Sequence, residues 1–284
     1  MTYRTIISVA QLRERLGDPS VVIFDCRHDL MQPEKGALAY KEAHVPGARF
    51  AHSDRDLSGA KNGRTGRHPL PEPAVLMAWL GANGVDATRQ VVAYDYVGGA
   101  SATRLWWMLR WLGHDEVSVL DGGWARWTSL GLPVDTAVPS PLQGDFVERP
   151  RPGMVVDAAA VLASIGVAGV AMLDARAPER YRGDVEPIDA VAGHVPGARN
   201  RPFVASLGPD GRFLPPAQLR AALLEDLGGT PSSQAIAMCG SGVTACHLLL
   251  AMEHAGLGGG RLYPGSWSEW SRDPSRPVAR GPEP

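Results

Sequence analysis

The 284-residue chain has little cysteine and little lysine: three of each, beside 25 arginines. Cys26, Cys239 and Cys246 are too few for a disulfide framework and lack the close-set spacing of a metal-thiolate site. Three unpaired thiols fit a reducing compartment. There is no excess of positive charge. Lys and Arg total 28 against 30 Asp and Glu, a net charge of −2, which excludes non-specific binding of nucleic acid through phosphate neutralisation. No apolar run approaches the roughly 18 residues of a membrane-spanning helix. Arg4, Arg13, Glu14 and Arg15 interrupt the N-terminus before a signal-like apolar core develops. These absences predict a soluble, cytoplasmic protein with no nucleic-acid or membrane partner. With lysine scarce, anion binding falls to arginine or to backbone amides.

What is present is a packed core and a duplication. Apolar residues make up 44% and charged residues 20%, and the length suits two ordinary domains. Val22-Ile23-Phe24-Asp25-Cys26-Arg27 is echoed by Met172-Leu173-Asp174-Ala175-Arg176. His44-Val45-Pro46-Gly47-Ala48-Arg49 returns as His194-Val195-Pro196-Gly197-Ala198-Arg199, and Gly122-Gly123-Trp124 as Gly265-Ser266-Trp267. Three blocks in one order at a near-constant offset mark a repeat of about half the chain. Prolines at 139, 141, 150 and 152 break regular structure between the halves. The expected division is a first domain over 1–138, a linker over 139–152 and a second domain over 153–284.

Each half alternates short β-branched runs with helical periodicity. Val21–Asp25, Val91–Asp95 and Val117–Asp121 read as buried parallel strands, and Ser101–Leu112 as a helix. Ala171–Asp174, Ala235–Met238 and Arg261–Tyr263 are their counterparts, with a helix over Thr244–Ala255. The predicted fold class is α/β, each domain a parallel sheet with helices on both faces. The His-Val-Pro-Gly blocks read as turns, proline presetting one dihedral and glycine accepting the positive one. Because both halves have them, His44 and His194 read as structural, as do Asp25, Asp174 and the repeated tryptophans.

Sites on such sheets form beyond the C-terminal strand ends. There the second half has Cys239-Gly240-Ser241-Gly242-Val243-Thr244 and then a helix; the first half has Asp95 at the cysteine position. Two glycines let the loop curl so that its N–H groups, from Gly240 to Thr244, form an anion-binding nest, and the helix N-terminus adds positive potential. That is the setting for a nucleophilic thiolate at Cys239, with no metal or organic cofactor required. Cys26 and Cys246 read as buried packing. A phosphatase loop would need an arginine six residues after the cysteine, where Ala245 stands.

The duplicated halves, the paired turns and the Cys-Gly-Ser-Gly-Val-Thr loop resemble the tandem-domain rhodanese sulfurtransferases, from about Ile6 to Val278. Gly240-Ser241 resembles the 3-mercaptopyruvate branch; the thiosulfate branch typically carries two cations there. The resemblance implies two rhodanese-like domains and ping-pong transfer of a sulfane sulfur through a Cys239 persulfide, to a thiol such as thioredoxin or glutathione, or to cyanide. Thiosulfate:cyanide sulfurtransfer is the alternative activity, and a non-catalytic interaction module a further one. It also implies a Ser-His-Asp proton relay of Ser241, His68 and Asp54, placed between the domains, with Arg180 holding the donor carboxylate. The family's second substrate arginine falls where this chain has Ile188; Arg182 is the candidate to replace it.

Overall fold

The computed structural model describes residues 2–140, 143–147 and 149–284. Pro141, one of the expected linker prolines, lies outside them. The chain forms two compact units: Met1–Gly59, Leu70–Arg151 and Pro209–Phe213 in one, Ala60–Pro69, Pro152–Gly208 and Leu214–Pro284 in the other.

In the first unit the order is β1 (Ile6–Ile7), α1 (Val9–Arg13), β2 (Val21–Asp25), α2 (Lys35–Glu42), β3 (Arg49–Phe50), α3 (Pro73–Ala82), β4 (Gln90–Tyr94), α4 (Ala102–Trp111), β5 (Val117–Leu120) and α5 (Gly123–Ser129). Its parallel sheet runs β1-β5-β4-β2-β3. The second unit has α6 (Ala158–Ser164), β6 (Ala171–Asp174), α7 (Pro178–Arg182), β7 (Ala198–Asn200), α8 (Pro216–Leu227), β8 (Ala235–Met238), α9 (Thr244–His254), β9 (Arg261–Leu262) and α10 (Ser266–Trp270). Its parallel sheet runs β7-β6-β8-β9.

β4 and β8 are paired on both sides and every residue in them is buried. That is why Val91–Tyr94 and Ala235–Met238 read as unbroken apolar runs. α4 packs on β4 and β5, and α9 on β8 and β9. The short strands β1, β3 and β7 went unpredicted, since two or three residues carry no usable periodicity.

The repeated blocks become repeated devices. Ala48 N–H donates to Val45 O (2.9 Å) and Ala198 N–H to Val195 O (3.0 Å), closing turns in which Gly47 and Gly197 take φ of 77° and 82°. His44 stacks on Tyr40 and His194 on Tyr181, at ring separations of 4.0 and 3.8 Å. Each Nδ1 meets the carbonyl of the tyrosine it stacks on, at 2.7 and 2.8 Å. Arg27 folds back onto Asp25 and lies 4.5 Å over Trp124, while Arg176 folds onto Asp174 and lies 4.8 Å over Trp267.

Two features depart from the sequence division. The expected linker is held to the first unit through Arg151. Arg149 and Arg151 N–H groups donate to Leu112 O and Trp111 O, the Arg151 guanidinium meets Asp115 at 2.7 Å, and Phe146 is buried. Proline density marks where helix and strand stop, but the backbone still needs partners and finds them on α4 and the turn after it. The second departure is Ala60–Pro69, which lies within residues 1–138 of the sequence and packs with the second unit.

Candidate active site

β8 ends at Met238 and delivers Cys239, only 2% exposed, to a loop that leads into α9. The loop turns at Gly242, with φ of 79°, and a side chain there would meet Pro264 O at 2.4 Å. Only glycine satisfies both conditions. This turn points the Gly242 N–H at the Cys239 sulfur, 3.1 Å from Sγ. Val243 O accepts the Cys246 N–H at 3.1 Å as α9 begins at Thr244. Cys246 is fully buried and its thiol donates to Gly242 O at 3.2 Å, the packing role expected of it.

The start of α10 pins the loop from below. Trp267 N–H donates to Cys239 O (3.0 Å) and Ser268 N–H to Gly240 O (2.9 Å). Cys239 N–H donates to Ser266 Oγ at 3.1 Å, and that hydroxyl donates to Tyr263 O at 2.9 Å. Ser266 has φ of 51°, the one positive value outside glycine among the described residues. Its counterpart in the first unit is Gly123, with φ of 56°. The second unit therefore tolerates a strained serine where the first uses glycine, and the hydroxyl it gains holds the Cys239 N–H.

The segment Ala60–Pro69 completes the site. Gly66 lies so close to the α10 turn that a Cβ would stand 2.5 Å from Gly265 O, and Arg67 N–H donates to Ser268 Oγ at 3.0 Å. This seating presents two consecutive side chains. His68, 3% exposed, shares a 2.8 Å hydrogen bond between its Nδ1 and Ser241 Oγ. Arg67 reaches over the loop: its Nη2 is 2.9 Å from where a Cβ on Gly240 would be, and Arg180 Nη1 is 3.4 Å from the same point.

Carboxylates hold these guanidinium groups. Arg180 meets Glu186 at 2.7 Å and Asp189 at 3.3 Å; Arg67 also pairs with Asp189. Glu186 Oε1 accepts the N–H groups of Ile188 and Asp189, both at 3.1 Å. Burial pushes the Asp189 carboxyl above the ordinary carboxylate range; Arg67 and Arg180 hold it back and Glu186 adds to the push. Arg176 is buried, which opposes its charge, yet Asp174, Glu186 and Cys239 together raise its pKa above the usual arginine value.

In the first unit the equivalent loop holds an internal anion. Asp95 accepts N–H groups from Gly99 (3.0 Å), Ser101 (2.7 Å) and Ala102 (3.0 Å). Burial pushes its carboxyl up to about 6 against the pull of these three donors.

The family model for the rhodanese-like domain matches residues 8–130 and again residues 157–273. The chain belongs to the rhodanese family. A Pseudomonas aeruginosa protein named a probable 3-mercaptopyruvate sulfurtransferase is 50% identical over 283 residues, covering 99% of this chain and 100% of that one. SseB of Mycobacterium tuberculosis, named for thiosulfate sulfurtransfer, is 42% identical over 287 residues, 98% of each chain. SseA of Escherichia coli, a solved structure described among 3-mercaptopyruvate sulfotransferases, superimposes with a TM-score of 0.79 at 31% identity, over 93% of this chain and 99% of that one. This rhodanese is a sulfurtransferase enzyme with two parallel-sheet domains.

Of the residues singled out in the sequence, Cys239, Gly240, Ser241, Gly242, His68 and Arg180 converge in the second unit. Asp54 belongs to the first unit, in the turn after β3, where its N–H donates to His52 Nδ1 at 3.1 Å. Arg182 is not brought to the loop. Two residues along α7 from Arg180 is about 200° around the axis, and its guanidinium, 37% exposed, pairs with Asp184 at 2.7 Å. The second guanidinium over Gly240 comes from Arg67. Arg67, Glu186, Asp189 and Ser266 are site residues that the sequence does not announce. The legible signals were the adjacency of Arg67 to His68 and the Gly123–Ser266 mismatch within the repeat.

Proposed function

We propose that this rhodanese takes sulfur from 3-mercaptopyruvate and carries it on Cys239 as a persulfide. The Cys239 thiolate attacks the donor sulfur. The S–S bond forms as the donor C–S bond breaks, and that electron pair leaves on carbon as the enolate of pyruvate. The proton from the donor thiol passes through Ser241 and His68 to the enolate carbon, releasing pyruvate. Asp54 is assigned, by the family resemblance, to orient His68. An acceptor thiolate or cyanide then attacks the outer sulfur and restores the Cys239 thiolate, giving a persulfide or thiocyanate. Protein thiols such as thioredoxin are candidate acceptors, and the chemistry as written calls on no metal or organic cofactor. A reactive thiol of this kind suits the reducing cytoplasm.

The observation that carries this reading is Cys239 Sγ under the Gly242 N–H at 3.1 Å, beside a Ser241–His68 pair at 2.8 Å. The amide stabilises a negative sulfur, and the pair supplies a proton path suited to a thiol donor. Arg67 and Arg180 over Gly240 are placed to take the donor carboxylate. The same two cations support a second reading, with thiosulfate as donor. Intact-mass spectrometry after exposure to each donor decides the matter. Gain of one sulfur atom at Cys239, with pyruvate released from 3-mercaptopyruvate, is the expected result; no sulfur on Cys239 from either donor overturns the reading.

A further inference from the structure

We propose that Asp189 sets the donor preference of this site: it is a resident carboxylate spanning Arg67 and Arg180 above Gly240, and it holds the pocket too close to electrical neutrality for a dianionic donor. The inference rests on the proposed transfer through Cys239 and concerns which donor that transfer favours.

Among the described residues, ion pairs link six charges around the loop. Arg67, Arg176 and Arg180 supply three positive charges; Asp174, Glu186 and Asp189 supply three negative ones. Asp174 is taken up by Arg176, to which it is joined at 2.7 Å with both side chains at most 2% exposed. Glu186 is fixed by Arg180 at 2.7 Å and by two backbone amides, with Arg176 at 3.5 Å. Asp189 alone, among the described residues, bridges the two guanidinium groups that stand over Gly240. Its side chain is 8% exposed, while Arg67 and Arg180 are 18% and 17% exposed. The Nε atoms of Arg67 and Arg180 are buried and have no hydrogen-bond partner among the described residues. Both arginines thus keep a guanidinium edge over Gly240 while their net charge is cancelled.

A keto-acid thiol brings one carboxylate charge and planar oxygens suited to the guanidinium edges, Arg67 Nη2 and Arg180 Nη1, that stand nearest Gly240. Thiosulfate brings two charges and gains little attraction from a set that sums to zero, beside a sulfur that is itself negative. Because the Coulomb energy is linear in the donor's charge, removing one fixed negative charge helps a dianion about twice as much as a monoanion. Asp189 also adjoins Ile188, where the sequence lacks the family's second arginine. That stretch of loop therefore contributes a negative charge, and the missing cation arrives from Arg67.

The test is the ratio of kcat/KM for thiosulfate to that for 3-mercaptopyruvate, with one acceptor, in wild type, Asp189→Asn and Asp189→Glu. Asp189→Asn is expected to raise the ratio about tenfold, chiefly through a lower KM for thiosulfate, and Asp189→Glu to restore the wild-type ratio. Equal losses for both donors in Asp189→Asn would mean a merely structural carboxylate and would overturn the proposal, while sulfur capture by wild-type Cys239 left the transfer reading intact. Absence of capture in the wild type defeats both. Should Asp189→Asn fail to fold, Arg67→Gln takes its place. It leaves the negative charge in excess and must lower the ratio; an unchanged or raised ratio counts against the proposal.

Discussion

At the residue scale, the sulfur of Cys239 and the hydroxyl of Ser266 are tied to opposite sides of one loop. Cys239→Ser keeps the Gly242 hydrogen bond possible but removes the sulfur proposed to form the persulfide. The variant is expected to fold with an unchanged melting temperature, within a degree or two, and to capture no sulfur in an intact-mass measurement. Ser266 is a subtler case. Ser266→Gly relieves a positive φ that costs of order 1 kcal/mol, but it strands the buried Cys239 N–H, which costs about 1–3 kcal/mol. Denaturant titration should therefore show a net loss of up to about 2 kcal/mol, and Ser266→Ala, which keeps the strain and loses the bond, should lose more. A Ser266→Gly variant more stable than wild type would mean that the hydroxyl does not hold the loop.

Asp95 gives the matching test in the first unit. Its folded pKa of about 6 lies above the ordinary aspartate value, so the folded state binds more protons than the unfolded state between roughly pH 4 and 6. The stability it contributes is full below about pH 4 and is lost as pH rises through 6. For a fully buried carboxyl, that rise above the ordinary value is worth about 3 kcal/mol. Asp95→Asn should flatten that part of the stability curve, measured by urea unfolding from pH 4 to 7. A wild-type curve that rises monotonically with pH, in parallel with the variant, would contradict the assignment.

At the scale of elements, the decisive piece is the stretch Ala60–Pro69, which has no helix or strand of its own. Its position depends on Gly66 lying against the Gly265 carbonyl. Gly66→Ala forces backbone against backbone and lifts Arg67 and His68 together. Turnover with 3-mercaptopyruvate should fall at least tenfold, since small misplacements of positioned groups are costly. Alkylation of Cys239 by iodoacetamide should persist. Activity near wild type would show that the close approach is dispensable.

The residues of this stretch leave little local trace of their role in the sequence. β2, β6 and β8 were read with their observed limits because buried parallel strands write themselves as apolar runs. The turns at Gly47 and Gly197 followed from Pro-Gly. Cys239 stood out because two glycines serve no purpose after a packing cysteine. Arg67 and Asp189 left no such trace. They are 122 residues apart, no local periodicity links them, and each alone is an ordinary charged residue in a loop. Arg182 drew attention by its nearness to Arg180 in sequence, which on a helix turns it to another face. His68 and Ser241, 173 residues apart, were joined by family resemblance alone.

At the scale of the whole molecule, duplication provides an internal control. The Asp25–Arg27–Trp124 and Asp174–Arg176–Trp267 assemblies are built alike, but the second lies beside Cys239, the proposed nucleophile. Arg27→Ala and Arg176→Ala should each destabilise the protein by about 3–5 kcal/mol, the cost of leaving a buried carboxylate unpaired. Only the second should also lower kcat/KM once measured at temperatures where both variants remain folded. Equal effects on turnover would show that Arg176 matters for folding alone.

His68 and Arg67, which attend Cys239, are encoded ahead of the repeat boundary, in the copy that carries Asp95 where the other has Cys239. A cut between the copies would leave the sulfur-bearing half without either companion. What began as a tandem copy has become an interdependence: loss of the first copy would strip Cys239 of two of its neighbours.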